Sequence, residues 1–240
     1  MAQGYEAFAR FYDPVQGDRA DHAAYVRRLI EGRHPAARTI LELACGTGSI
    51  LKQLRPDFDV TGVDRSPEML SIAAEKVPEA RLIHADMTAV SLGETFDVVL
   101  CLYDSINHLL EFAQWEALFD RSREHLSNRG VFIFDLNTEY RLRELAAQPQ
   151  QAVWFGDGNL LLMDVVATAV DGVVDWHLQV FERTEESIYR LHTERIPEIS
   201  FSVERIRASL DERFRRVRVY DSQRARPSSK SRRLHVVCEP

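Results

Sequence analysis

The stretch ILELACGTGSI, residues 40–50, decides the fold. An apolar run that contains the acid Glu42 gives way to a tight turn through Gly46 and Gly48. The run predicts a buried strand, and the residues after the turn predict a helix. A glycine turn between the two lets a ligand approach the backbone closely, because no side chain intervenes. A phosphate-binding loop would also use the glycines, but it has little use for the carboxylate of Glu42.

Strands and helices alternate downstream of this turn. Further strands are predicted over residues 58–64, 80–86, 95–102 and 130–137. A helix over 65–78 has Ser66 as its N-cap, and another begins near Glu111 and ends at Asn128, with Gly130 as its stop. This alternation predicts a doubly wound α/β fold with a mostly parallel sheet and helices on both faces.

The rhythm changes after Pro149. Asp171 and Gly172 separate two strand-like runs, which is a strong hairpin signal, and a third run ends at Pro197. A helix and two strands then return before the chain ends. We therefore divide the chain into an α/β core over residues 1–150, an antiparallel insertion over 151–197, and a segment over 198–240 that completes the core sheet.

Composition limits the partners and the location. The 240 residues carry a formal charge of −7, which disfavours a protein that grips nucleic-acid phosphates along its surface. We find no apolar run long enough to span a membrane and no secretory signal, so we expect a cytoplasmic protein. Three cysteines without metal-ligand spacing suit a reducing compartment, and no metal site is expected. The basic residues over 224–233 are interpreted as a solvated loop.

Ligands of an open α/β sheet bind beyond the carboxyl ends of its strands. Asp64 ends the second strand, where a carboxylate can accept both hydroxyls of a ribose. A dinucleotide fingerprint asks for a third glycine three residues after Gly48, but that residue is Leu51. Glu42 would also be poorly placed near a pyrophosphate. A nucleoside with a cationic tail and no phosphate, namely S-adenosylmethionine, fits these residues better.

Three segments in order, ILELACGTGSI, VTGVDRSPEML and LIHADMTAV followed by FDVVLCLYDSINHL, resemble the motifs of class I S-adenosylmethionine-dependent methyltransferases. The resemblance covers residues 5–136 well and implies a seven-stranded sheet. It is nearest to a bacterial small-molecule branch that includes sugar N,N-dimethyltransferases, and the insertion after the fifth strand is similar too. Strand four is not followed by the Asn/Asp-Pro-Pro-aromatic sequence of methyltransferases that modify nucleobases.

The resemblance implies a set of cofactor-binding residues. Glu42, Ala44, Gly46 and Gly48 would shape the pocket for the methionine part, and Asp64 would take the ribose. Arg65 and Met69 would lie against the adenine, and Asp86 and Met87 would meet its edge. Leu102 would hold the cofactor from strand four. Tyr5 and Tyr12 would close over the methionine carboxylate or the substrate. Asp86 as the cap of the next turn, and Met69 and Tyr12 as packing residues, are the structural alternatives.

Methyl transfer from a sulfonium needs positioning and, for some acceptors, a base. If the segment LYDSINHL is helical, Asp104 and His108 lie four residues apart on one face. His108 occupies the place of a histidine in the sugar N-methyltransferases. It would accept or relay a proton, with Asp104 orienting it or the substrate, and Tyr5 would assist. The alternative is a helix-terminal histidine with a solvated partner.

The sequence thus predicts an enzyme that transfers a methyl group to N or O of a small molecule. The alternatives are a nicotinamide-dependent oxidoreductase and a protein that binds S-adenosylmethionine without catalysis. The aromatic residues of the insertion suit either a substrate lid or the contact of a homodimer.

Overall fold

A computed structural model describes residues 8–17, 19–221 and 223–240. Tyr5 therefore lies outside the described residues. The described helices are α1 (Ala9–Gln16), α2 (Ala20–Glu31), α3 (Ser49–Leu54), α4 (Pro67–Lys76), α5 (Phe112–Glu124), α6 (Glu139–Ala146) and α7 (Val203–Asp211). The strands are β1 (Thr39–Leu43), β2 (Asp59–Asp64), β3 (Arg81–His84), β4 (Phe96–Cys101), β5 (Leu126–Asn137), β6 (Gln151–Phe155), β7 (Asn159–Ala167), β8 (Val173–Glu185), β9 (Ile188–Ile199), β10 (Arg216–Asp221) and β11 (Arg233–Glu239).

Seven strands form the main sheet in the order β10-β11-β5-β4-β1-β2-β3. Strands β1 to β5 pair in parallel, whereas β11 is antiparallel to both β5 and β10. The strand order reverses between β1 and β4, so the carboxyl ends of these two strands mark the switch point where ligands bind. The predicted α/β fold with a mostly parallel sheet is confirmed.

Both faces of the main sheet are buried, which explains why its strands are nearly continuous apolar runs. Leu41 and Leu43 of β1 pack on one face with Trp115 of α5. Ile40 of the same strand packs on the other face with Val26 of α2. Successive side chains point to opposite faces of a strand, so one short segment supplies both cores.

The second sheet is antiparallel, in the order β6-β7-β8-β9, and it follows β5 as predicted. Gly172 has φ +76° in the turn between β7 and β8, which agrees with the predicted hairpin. Strand β9 continues through Pro197 to Ile199, although the sequence predicted its end at that proline. Because β9 is an edge strand, proline is tolerated within it.

Two elements were missed in the sequence, and one predicted helix stop is wrong. Strand β6 and helix α6 were not predicted. Gly130 does not stop α5, because that helix ends at Glu124 and Gly130 lies within β5. A Cβ atom at Gly130 would lie 2.7 Å from Leu126 Cδ2 and 3.1 Å from the Asp97 carbonyl oxygen. This glycine therefore permits a close approach between neighbouring strands. Among the described helices, none has the length and apolar character to cross a membrane.

Candidate active site

A cleft of about 1040 Å³, including its open mouth, lies at the carboxyl ends of β1 to β4. Nine residues singled out in the sequence line it: Tyr12, Ala44, Gly46, Asp64, Arg65, Met69, Asp86, Met87 and His108. We call it the cofactor cleft. The strand ends meet there because parallel strands present their carboxyl ends at one edge of the sheet.

The glycine turn and Asp64 are joined directly. The Gly46 amide donates to Asp64 Oδ2 at 2.8 Å, and the Ser66 amide donates to Oδ1 at 2.9 Å. Burial raises the pKa of Asp64, and these amide donors partly oppose the rise. A carboxylate has about four lone-pair sites, so Asp64 can accept further hydrogen bonds from a ligand. Gly46 has φ +53°, and a Cβ there would meet nothing within 4 Å, so the turn leaves open space in front of the acid.

Glu42 is buried beneath the turn and is only 3% exposed. Its Oε2 atom has no hydrogen-bond partner among the described residues. Burial and the nearby charge of Asp64 raise its pKa well above the ordinary value. A buried carboxyl oxygen without a partner costs free energy, so Glu42 suits a ligand that brings a hydrogen-bond donor or a positive charge.

Besides the buried Glu42, two more predicted cofactor residues lie outside the lining of the cleft. Gly48 is the N-cap of α3 with φ +72°, and a Cβ there would come within 3.1 Å of Ala73 Cβ, so it allows α3 to approach α4. Leu102 is 2% exposed and packs in the core beneath the sheet edge. The contacts of both with a cofactor stay predictions.

The adenine-side residues combine structural and binding features. Asp86 caps the following turn, because its Oδ1 accepts from the Thr88 amide at 2.7 Å, and the same residue also lines the cleft. Met69 is 3% exposed within α4, yet it lines the cleft as well. Ser66 caps α4 as predicted, accepting from the Met69 amide at 3.2 Å. For Asp86 and Met69, the structural and functional interpretations are compatible.

Helix α1 is held over the glycine turn by a polar network that sequence reasoning missed. Asp13 Oδ1 accepts from Thr47 Oγ1 at 2.7 Å and from Ser49 Oγ at 3.0 Å. Lys76 of α4 pairs with the other oxygen of Asp13. This clamp positions the neighbouring Tyr12, whose pKa burial raises to about 12, at the edge of the cleft. Thr47 and Ser49, the hydroxyl residues beside the glycines, were the feature of the sequence that could have indicated this network.

The segment after β4 is a single 3-10 turn, Ser105–His108, and not an α-helix. Asp104 precedes it with φ +53°, so the expected shared helical face does not form. His108 lines the cofactor cleft, and its Nδ1 lies 3.5 Å from the Pro197 carbonyl oxygen. Burial lowers the pKa of His108. Asp104 faces two neighbouring cavities, described next.

An inner and an outer cavity adjoin the cofactor cleft. The inner cavity, about 470 Å³, is lined by Asp104, Glu198, Trp176 and apolar residues of the second sheet, and it shares Ile196 with the cleft. The outer cavity, about 1080 Å³, shares Tyr12 and Tyr103 with the cleft. Asp104 and Trp176 line both cavities. No pattern in the sequence connects β9 with this region.

Asp104 belongs to an ion network below these cavities. Arg233 pairs with Asp104 and with Asp135, the latter at 2.8 Å. The nitrogens of His22 and His235 lie 3.2 Å apart and about 4 Å from the same oxygen of Asp135. Arg233 already donates to that oxygen. We therefore interpret the two histidines, which contact each other, as neighbours that pack around the ion pair. Arg233 was expected in a solvated loop, but it is the partner of two acids.

Comparisons with known proteins agree with this geometry. A family model described as a methyltransferase domain matches residues 40–130. A dTDP-3-amino-3,6-dideoxy-alpha-D-glucopyranose N,N-dimethyltransferase from Streptomyces fradiae is 38% identical over 132 residues, which are 53% of this chain and 52% of that protein. The match thus spans about half of the relative's length.

Solved structures match along nearly the whole chain. A S-adenosylmethionine-dependent methyltransferase from Clostridium acetobutylicum has a TM-score of 0.84 at 24% identity, covering 98% of both chains. The sugar N-methyltransferase KedS8 from Streptoalloteichus has a TM-score of 0.81 at 26% identity, covering 100% of this chain and 95% of the other. The fold and the cleft at its switch point define a class I methyltransferase fold. The chain resembles the S-adenosylmethionine-dependent methyltransferases of that class, in the matched methyltransferase domain and in the fold along nearly its whole length.

Proposed function

We propose that this chain transfers a methyl group from S-adenosylmethionine to N or O of a small molecule. The observation that carries the proposal is the pair of acids around the glycine turn. Asp64 is anchored by two amides at the end of β2, and Glu42 lies buried without a partner for Oε2 among the described residues. These acids suit a ribose and a cationic or hydrogen-donating tail. They do not suit a pyrophosphate, which counts against a nicotinamide-dependent oxidoreductase.

The residues that would hold the cofactor fit it in character. Asp64 would accept the ribose hydroxyls, and Glu42 would face the methionine part through the open space in front of Gly46. Met69 and Met87 offer apolar surface for an adenine, with Asp86 at its edge. Arg65, Ala44 and Tyr12 complete the lining. Gly48, Leu102 and Tyr5 remain predicted contributors.

The bound cofactor would supply an electrophilic methyl group on a sulfonium, and the chain would position the acceptor in line with it. His108 is a suitable proton acceptor. Its lowered pKa keeps the imidazole neutral near pH 7, and the tautomer that donates from Nδ1 to the Pro197 carbonyl has Nε2 as its basic nitrogen. Asp104 would orient the acceptor from the adjoining cavities.

The test is a calorimetric titration with S-adenosylmethionine, its demethylated product and a nicotinamide dinucleotide. Asp64→Ala should weaken binding of the methyl donor by a factor of roughly 10 to 100, the value of lost hydrogen bonds to a charged group. Asp59→Ala is the matched control, because Asp59 is exposed at the opposite end of the same strand. Binding of the dinucleotide alone, or equal donor affinity in Asp64→Ala and the wild type, would overturn the proposal.

A turnover screen separates an enzyme from a non-catalytic S-adenosylmethionine-binding protein. Amino sugars are the first acceptors to try, since the Streptomyces fradiae relative is named for one. Other amines and phenols follow. Methyl transfer to none of them by a chain that binds the donor would favour the non-catalytic alternative. Unchanged turnover in His108→Ala would eliminate the proton-accepting role of that residue.

The remaining proposals concern organisation, partners and location. We keep the division into a core over 1–150, an insertion over 151–197 and a completing segment over 198–240. The acidic balance supports a chain that acts without nucleic acid or membrane. Three buried, free cysteines suit a reducing cytoplasm.

A homodimer through the insertion is a further part of the proposal. Trp154, Leu160, Phe181 and Leu191 pair in one row across the second sheet, and the residues at the two ends of the row are 65% and 50% exposed. An exposed apolar row of this kind suits a partner surface. Sedimentation of the wild type beside Trp154→Glu tests it, and a monomeric wild type at micromolar concentration would exclude the dimer.

A further inference from the structure

Glu198 on β9 lies against Asp104 in the wall of the inner cavity. Asn137 connects the two acids, because its Nδ2 donates to Asp104 Oδ2 at 2.9 Å and to Glu198 Oε2 at 3.2 Å. Glu198 is 3% exposed, so its carboxyl group is almost fully removed from water. Two acids this close in a buried site do not both ionise readily, and they share a proton instead.

Hydrogen bonds of Asn107 hold the segments that carry the two acids in place. Asn107 accepts from the Asn137 amide at 2.9 Å and donates to the Asn137 and Ile199 carbonyl oxygens at 3.0 and 2.7 Å. Three elements, the 3-10 turn, β5 and β9, are thereby tied together behind the two acids. Such an arrangement holds the carboxyl groups at a fixed separation in front of the cavity.

Charge around the pair favours a cation. Burial and the neighbouring Asp104 raise the pKa of Glu198 well above its ordinary value, which favours Glu198 as the holder of the shared proton. Asp104 and Asp135 then contribute two negative charges against the one positive charge of Arg233. His22 and His235 face Asp135, and burial lowers the pKa of both, that of His22 to about 4, so they add no charge. Arg19, Arg141 and Arg232 line the outer cavity, whereas no cationic side chain of the described residues lines the inner one, so one negative charge remains there for a ligand.

The cavity wall offers a second polar group. Trp176 lines both cavities, and its buried indole nitrogen has no hydrogen-bond acceptor among the described residues. A ligand that carries oxygen atoms would satisfy this donor, while its cationic end meets the acids. Apolar side chains such as Leu161 and Met163 form the rest of the inner wall.

From this geometry we infer that Glu198 and Asp104 form a proton-sharing pair that binds the nitrogen of an amine acceptor and takes up its proton. The inference rests on the proposed methyl transfer and selects N over O as the acceptor atom. The bound ammonium gives one proton to the ionised oxygen of the pair. Its freed lone pair forms the bond to the methyl carbon, the electrons of the carbon–sulfur bond go to sulfur, and the proton leaves the pair for solvent afterwards.

Two measurements test the inference on the full chain. Infrared difference spectra of Glu198→Gln against the wild type at pH 7 should lose the band of a protonated carboxylic acid, whereas Glu185→Gln should keep it. Glu185 is the matched control, because it is an exposed glutamate at the end of β8 in the same sheet. A band unchanged by Glu198→Gln would show that the pair holds no such proton and would overturn the inference.

The second measurement is methyl transfer to the dTDP-3-amino sugar of the Streptomyces fradiae relative and to other primary amines. For the best amine, Glu198→Gln should lower kcat/KM about 100-fold, because glutamine cannot share the proton that the pair takes up from the amine. The acidic limb of the pH profile of kcat/KM should move to lower pH, because the variant lacks the carboxyl group whose pKa burial raises. Glu198→Asp should recover part of the loss, and donor affinity should stay unchanged.

Failures of the two proposals are distinguishable. A wild type that does not bind the methyl donor refutes the proposed methyl transfer, and the infrared spectra still decide whether the proton is shared. A wild type that binds the donor but methylates only hydroxyl acceptors overturns the assignment to an amine. An unchanged kcat/KM and pH profile in Glu198→Gln overturns it as well.

Discussion

Replacing Arg233 by methionine should destabilise the fold far more than an ordinary surface substitution. Arg233 pairs with Asp104 and Asp135, and the side chain of Asp135 is completely buried. Methionine fills much of the same volume but leaves both acids without their cation. Breaking a buried ion pair on one side costs about 3–5 kcal/mol. For a chain of this size, that corresponds to a fall in Tm of about 6–20 °C.

The expected loss depends on pH in a defined direction. Burial alone would raise the pKa of Asp135, but the charge of Arg233 outweighs it, and the pKa is lowered. In the wild type this pair therefore stabilises the fold above the unfolded pKa of about 3.9, and the contribution is lost as pH falls through the lower folded value. Without Arg233, burial is unopposed and the folded pKa is raised. Protonation of Asp135 then removes the buried charge in the variant. The stability that the variant loses relative to the wild type should therefore be smaller at pH 5 than at pH 7.

Thermal and urea unfolding at both pH values measure this effect. Arg232→Met is the matched control, because the neighbouring Arg232 is 49% exposed and pairs with Glu144 at the surface. A surface ion pair contributes about 0–1 kcal/mol, so the control should remain near the wild type. Equal losses in the two variants, or a deficit of Arg233→Met that grows toward pH 5, would refute the reasoning.

Two further predictions concern the cofactor cleft. Ser66→Ala should lower stability by about 1 kcal/mol in urea unfolding, because α4 loses its cap, while Ser71→Ala, exposed in the same helix, should change little. Glu42→Gln should raise the stability of the ligand-free chain at pH 8 by about 1–3 kcal/mol, since it removes a buried acid whose folded pKa is raised. That gain should decline as pH falls from the raised folded pKa of Glu42 toward its ordinary value, and calorimetry should show weaker binding of the methyl donor. A Glu42→Gln variant less stable than the wild type at pH 8 would contradict this account.

The sequence predicted the main sheet well because its signals are local. The apolar runs of β1 and β4 are buried on both faces, and each is bounded by a turn or an acid that marks its carboxyl end. Ser66 and Pro67 start α4 through ordinary capping chemistry. The topology rule for parallel sheets then brings Asp64, Asp86 and the glycine turn to one edge without any knowledge of tertiary contacts.

The residues around the inner cavity could not be predicted in the same way, because their contacts join distant segments. Glu198 reaches Asp104 across 94 positions of chain, and nothing in the local pattern of β9 distinguishes it from Glu194. Arg233 belongs to a basic stretch that predicts a solvated loop. Its ion pairs with Asp104 and Asp135 nevertheless leave its side chain largely buried. The spacing of Asp104 and His108 suggested an α-helix, but the turn adopted 3-10 geometry, which places the two side chains in different cavities.

Strained backbone conformations occur at the switch point of the sheet, where they position residues that line the cavities. Among the described residues, three that are not glycine have positive φ: Ala44 at 58°, Tyr103 at 56° and Asp104 at 53°. Each costs about 1–3 kcal/mol relative to an unstrained residue, and all three lie just beyond the ends of β1 and β4 at the switch point. The Asp104 amide is fixed by Asp135 Oδ1 at 3.0 Å, so the buried ion network holds the strained turn. The network that Arg233 completes therefore maintains Tyr103 and Asp104 in a conformation that presents one to the cofactor cleft and the other to the inner cavity.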